Sequence, residues 1–140
     1  MLYELIYHST TAHDFDKSQI KAILETSHLN NEKKDITGCL IFHKNEFVQI
    51  LEGDEHTVKD LNAKIMKDPR HNNSNVIASG KTDSRAFDKW TMAFHDFSSI
   101  EINEHNRISI ELLLAMIENI KNPTVAKSLF KLIAEDMFSK

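Results

Sequence analysis

The sequence predicts an α+β domain, an antiparallel sheet with helices on both of its faces. Three observations carry that expectation. Residues 35–53, DITGCLIFHKNEFVQILEG, read as two apolar strands, 36–42 and 47–51, joined by the polar turn His43-Lys44-Asn45-Glu46. Both strands are apolar on both sides, Leu40 and Phe42 against Cys39 and Ile41, which places the hairpin mid-sheet with cover above and below. Strand and helix signals follow in the order strand, helix, strand, strand, helix, strand, strand, helix, helix.

Taken in order, residues 2–9 (LYELIYHS) form a strand with Tyr3, Leu5 and Tyr7 on one face and Leu2 and Ile6 on the other. After a polar loop a helix starts at Asp16, a cap with Gln19 three residues on, and its stripe is Ile20, Ile23, Leu24 and Ser27. A polar connection, residues 29–35, leads into the hairpin. The second helix opens at Asp54, carries Glu55 in its first turn, buries Val58, Leu61, Ile65 and Met66, and ends at Asp68-Pro69. His71-Asn72-Asn73-Ser74-Asn75 reads as a turn, 76–81 as a short strand and 90–97 as another. Phe87 anchors the segment between those strands. Residues 108–120 are helical, with Ile110, Leu113, Leu114 and Ile117 on one stripe. Asn122 and Pro123 then form a cap and first-turn pair for a last helix that buries Val125, Leu129, Leu132, Ile133 and Met137.

A βαββαβ core of this kind is the ferredoxin-like pattern, extended here to βαββαββ, with two helices on one sheet face. The C-terminal helix pair is left to cover the other face. The expected division is a core domain over residues 1–97 and a helical extension over 98–140. A cleft lies between the two core helices.

At 140 residues the chain is one globular unit long enough for a proper core. A formal net charge of −4 and scattered basic residues exclude a domain-wide field for nucleic acid. The single cysteine, Cys39, sits in an apolar strand and reads as core, which excludes a disulfide framework and a multi-cysteine zinc site. The histidines lack metal-like spacing. No apolar run reaches the ~20 residues of a membrane span, and MLYELIYHS lacks the basic start of a signal peptide. A cytoplasmic protein is expected.

Polar residues on buried elements are the candidates for chemistry. Gln49 stands among Phe47, Val48, Ile50 and Leu51, where a primary amide without partners costs about 1–3 kcal/mol. Tyr7, the pair Asn30 and Asn31, and Trp90 are the others. Each has an ordinary reading alone: a core tyrosine bonded to backbone, a satisfied amide, a helix-ending turn, a packing tryptophan. Together they say more. The ferredoxin-like order makes the first and third strands neighbours, so Tyr7 and Gln49 meet. An amide beside a phenol forms a relay that a heteroaromatic ligand can complete, its flat faces held among Ile23, Leu24 and Ile65.

These residues carry a family resemblance. LIYHS with Tyr7, LNN with Asn30 and Asn31, DITGCLIF, EFVQILEG with Gln49, KIMKDPRH at 64–71, and WTM with Trp90 and Met92 fall in the order and spacing of a BLUF domain. The sequence resembles this blue-light receptor family, which uses FAD, over about residues 2–97. The resemblance implies that Tyr7 donates an electron and proton to photoexcited flavin and that Gln49 bridges Tyr7 to the ring edge. It implies that Asn31 pairs with the ring beside Asn30, and that Ile23, Leu24 and Ser27 line it. Lys64, where many relatives carry arginine, would stand near the ring carbonyl or ribityl chain, with Asp68, Arg70 and His71 toward the ribityl-phosphate end. Trp90 and Met92 would be the switch pair on the last strand. With no effector in the sequence, the implied protein is a short photoreceptor without turnover chemistry. It would signal to a separate protein partner and form a homo-oligomer.

Two other classes share the core. An acylphosphatase-like hydrolase needs a glycine-rich loop bearing arginine after the first strand, and His8-Ser9-Thr10-Thr11-Ala12-His13-Asp14 has neither. A small-ligand regulatory module explains the fold and Asn31 but not Tyr7, Gln49 and Trp90 together.

Overall fold

A computed structural model describes residues 2–11, 32–43, 46–68, 71–87 and 123–138. The expected first helix, the strand over 90–97, the helix over 108–120 and the cap residue Asn122 lie outside the described residues.

The elements are β1 (Leu2–Thr11), β2 (Thr37–His43), β3 (Glu46–Asp54), α1 (Glu55–Met66), β4 (His71–Thr82) and α2 (Val125–Phe138). The four strands form one antiparallel sheet in the order β2-β3-β1-β4, which is the ferredoxin-like arrangement. The hairpin was expected mid-sheet in both strands; β3 is central, while β2 ends the order among the described strands. Pairing runs to His43↔Glu46, so two residues expected in the turn belong to strands.

Strand alternation splits the core in two. On one face Tyr3, Leu5, Tyr7, Ile36 and Leu51 pack with Val58, and Leu61, Ile65 and Met66 of α1 lie against them. On the other, Ile6, Cys39, Ile41, Val48 and Ile50 pack with Phe87 and with Ala126, Phe130, Ala134 and Met137 of α2. The last helix covers the second face, as expected. Each fully buried aliphatic or aromatic side chain contributes about 1.5–3 kcal/mol over leaving it in water.

Local chemistry sets the helix starts. Asp54 caps α1, its Oδ2 accepting the Thr57 N–H at 3.2 Å, and those bonds hold its carboxyl below the usual range. Gly53 leaves room at this turn. A Cβ there would stand 3.3 Å from the Asp35 carbonyl oxygen.

Three expectations need correction. His71 to Asn75 do not form a turn but begin β4, where Thr11 pairs with His71 and His8 with Asn75. Two register shifts let β4 hold extra residues opposite β1, and Asn73 takes a left-handed φ of 49° that asparagine tolerates better than most residues. The cap of α2 is Thr124, not Asn122 with Pro123: its Oγ1 accepts the Lys127 N–H at 3.1 Å, and Pro123 precedes the helix. The buried stripe of α2 is Ala126, Phe130, Ala134 and Met137, which turns Val125 and Leu132 outward at 75% and 60% exposure. The two alanines let the helix approach the sheet closely; Leu129 and Ile133, expected to be buried, are partly buried beside the stripe, and Met137 is buried as expected.

Candidate functional site

β1 and β3 bring the two central candidates together. Antiparallel register sets Tyr7 opposite Gln49, both on the α1 face of the sheet. The Tyr7 hydroxyl donates to Gln49 Oε1 at 2.5 Å, and the two residues are 2% and 4% exposed. What satisfies Gln49 is thus a phenol 42 residues away in sequence. Tyr7 takes the acceptor end of the amide. What Gln49 presents to a third group is its NH2 end, with two donors.

Burial raises the Tyr7 phenol well above its ordinary value, and the Asp68 carboxylate adds to the effect. Tyr7 is therefore held as the neutral O–H. Its proton does not leave ahead of an electron, because the anion would be stranded in an apolar layer beside another negative charge. A raised folded-state value means that the stability contributed by neutral Tyr7 is present below the ordinary value of 10.0 and is lost as pH rises beyond it. In a Tyr3→Phe background, where Tyr7 is the only tyrosine, an ultraviolet titration of the folded protein should show no tyrosinate near pH 10. Reversible ionisation there, with the fold intact, would contradict the burial argument.

The other predicted residues are placed as follows. Asp68 is half-buried just past α1, where its charge reaches Tyr7. Lys64 stands on the exposed side of α1 with its Nζ 3.6 Å from Asp60 Oδ2, both side chains more than half exposed. His71 opens β4 opposite Thr11. Ile23, Leu24, Ser27, Asn30, Asn31, Arg70, Trp90 and Met92 lie outside the described residues.

Sequence reasoning missed a second set of polar residues. Glu4, Glu52 and Lys127 are buried on the α2 side of the sheet, and Arg85 ties the Asp35 and Glu52 carbonyls to Thr37. Charged residues are exposed by default, so nothing in their spacing announced this. Among the described residues no group of three or more histidine, cysteine or acidic side chains is placed to hold a metal ion.

The donor set fits a flavin edge. An amide NH2 held in a dry layer by a neutral phenol suits a partner with carbonyl and ring-nitrogen acceptors, and Ile65 adds apolar surface beside it. The family comparison agrees, since residues 2–93 match the family model described as BLUF, sensors of blue-light using FAD. The chain belongs to the BLUF family.

BLUF domains bind FAD as chromophore and sense blue light. The chain is 34% identical over 96 residues to the blue light- and temperature-regulated antirepressor BluF of Escherichia coli, a match covering 69% of this chain and 24% of that protein. It is 32% identical over 92 residues to the photoactivated adenylate cyclase subunit beta of Euglena longa, covering 65% of this chain and 11% of that one. The chain thus spans about a quarter or less of these relatives. The dark-state structure of BlrB, a BLUF protein, shares the fold with a TM-score of 0.68 at 24% identity, covering 96% of each chain. These matches favour neither a hydrolase nor a generic small-ligand module.

Proposed function

We propose that this chain is a BLUF photoreceptor whose switch is the Tyr7–Gln49 hydrogen bond and whose output is contact with a separate protein. The observation that carries this reading is the buried bond from the Tyr7 hydroxyl to Gln49 Oε1, set by β1–β3 register. Bound FAD supplies the chromophore and, when excited by blue light, a strong oxidant. Tyr7 would give its electron to that oxidant, and its proton, now acidic, would pass along the existing bond to Gln49 Oε1 as Gln49 releases one of its Nε2 protons toward the ring edge. Gln49 has one donor and one acceptor end, so rotation would exchange the end that faces the ring, and tautomerisation would exchange donor and acceptor character with both ends in place. A changed Gln49 bond to the ring edge would shift the flavin absorption slightly to the red.

By resemblance, Ile23, Leu24 and Ser27 line the ring, and Asn30 and Asn31 pair with its polar edge. Arg70 and His71 lie toward the ribityl-phosphate end. Lys64 stands near the ring carbonyl or ribityl chain, and Asp68 lies with Arg70 and His71. Trp90 and Met92 exchange places near Gln49. Residues 1–97 form the light-sensing unit and 98–140 the extension that carries the signal. The protein acts in the cytoplasm as a homo-oligomer, without turnover chemistry of its own.

The test is colour. Protein loaded with FAD should be yellow, shift its flavin band to the red under blue light, and recover in darkness. A chain that cannot be loaded with FAD, or one whose spectrum is unmoved by light, refutes the reading.

A further inference from the structure

The two strands that join Tyr7 to Gln49 carry another pair three residues along: Glu4 stands opposite Glu52 in the same register. An odd step along a strand changes face, so this pair points toward α2 rather than α1. Both carboxylates are buried, and neither takes part in the photochemistry described above.

Their bonds lead to the C-terminal helix. Glu4 accepts from the Thr124 hydroxyl at 2.5 and 2.9 Å, and that hydroxyl caps α2 by accepting the Lys127 N–H. Lys127, itself 1% exposed, donates from Nζ to Thr82 Oγ1 at 2.9 Å and the Ser84 carbonyl at 2.8 Å. Glu52 accepts the N–H groups of Ala86 at 2.6 Å and Phe87 at 2.8 Å, and the Phe87 ring packs edge-on against Phe130 of α2. The first turn of α2 is therefore tied to β1 through Glu4 and to residues 82–84 through Lys127, and the segment at 86–87, the end of the same 82–87 strap, is tied to β3 through Glu52.

Apolar residues would hold a helix on a sheet at least as well as buried charges do. What a polar cluster adds is a discrete geometry. A small slip of β3 against β1, which apolar packing absorbs, breaks directional bonds whose loss is costly in a dry layer. Burial raises the Glu52 carboxyl above its ordinary value while the Ala86 and Phe87 N–H donors and Lys127 oppose the rise and Glu4 adds to it, so displacing any partner alters the balance.

Resting on the photoreceptor reading, we propose that the Glu4–Glu52–Lys127 cluster is the latch through which α2 reads the bond between Tyr7 and Gln49. A change in that bond moves β3 relative to β1, the two carboxylates shift together, and the start of α2 loosens from the sheet. Glu52 and Lys127 are positioning residues in this scheme, acting on the helix and not on the chromophore.

Hydrogen exchange of the FAD-loaded full chain, in darkness and under blue light, decides the matter. In the unsubstituted protein, amides over 125–130 should exchange about tenfold faster in light. In Glu52→Gln, and independently in Glu4→Gln, the red shift should persist while the light-to-dark exchange ratio falls to near one. A purely structural role would speed exchange equally in both conditions and leave that ratio unchanged, which overturns the latch. A red shift in the unsubstituted protein with no change in α2 overturns the latch and spares the photoreceptor reading. No red shift there removes both. The unsubstituted arm decides even if a variant fails to fold.

Discussion

Tyr7→Phe should bind FAD, keep a near-parental dark spectrum and lose the light-induced red shift entirely. The ring that packs with Leu5 and Leu51 stays, and only the hydroxyl goes. With it goes the proton that must follow the electron and the donor that holds Gln49 Oε1. The orphaned carbonyl in a dry layer costs about 1–3 kcal/mol of stability, small against a total of roughly 5–15, so the variant remains folded. Absorption difference spectra before and after blue light make the comparison. A normal red shift in Tyr7→Phe would remove Tyr7 from the switch.

Phe130→Ala should produce the largest loss of stability among single changes in α2, about 3–5 kcal/mol. Phe130 is fully buried, and its ring meets Phe87 at 5.8 Å between centroids and an 81° angle. Its removal opens a cavity at the point where helix, strap and sheet meet. Leu132→Ala, on the 60% exposed side, should stay within about 0.5 kcal/mol of the parent. Urea unfolding midpoints of the two variants give the contrast. Equal effects would mean that α2 does not bury the stripe described above.

Much of the fold was legible because its signals are local. A hairpin apolar on both sides belongs in the centre of a sheet, an aspartate after Leu-Glu-Gly caps a helix, and a lone amide in an apolar strand asks for a partner. Strand order made the strands of Tyr7 and Gln49 neighbours, and register set the two residues opposite each other. Other features were illegible for a physical reason: the burial of Glu4, Glu52 and Lys127 is decided where β1, β3, the strap and α2 converge, and no window of sequence contains all four. α2 misled because it is apolar on more than one side. Only contact with the sheet shows that Ala126, Phe130, Ala134 and Met137 face inward. The asparagines after His71 read as a turn because their tolerance of left-handed backbone serves turns and bulged strands alike.

In the proposed photoreceptor, light changes the bond between Tyr7 and Gln49. A light-minus-dark infrared spectrum of the FAD-loaded protein, with isotope-labelled tyrosine in a Tyr3→Phe background, observes that bond directly. Label-sensitive tyrosine bands that form and decay together with the red shift are the predicted result. A full red shift with no tyrosine band would contradict it.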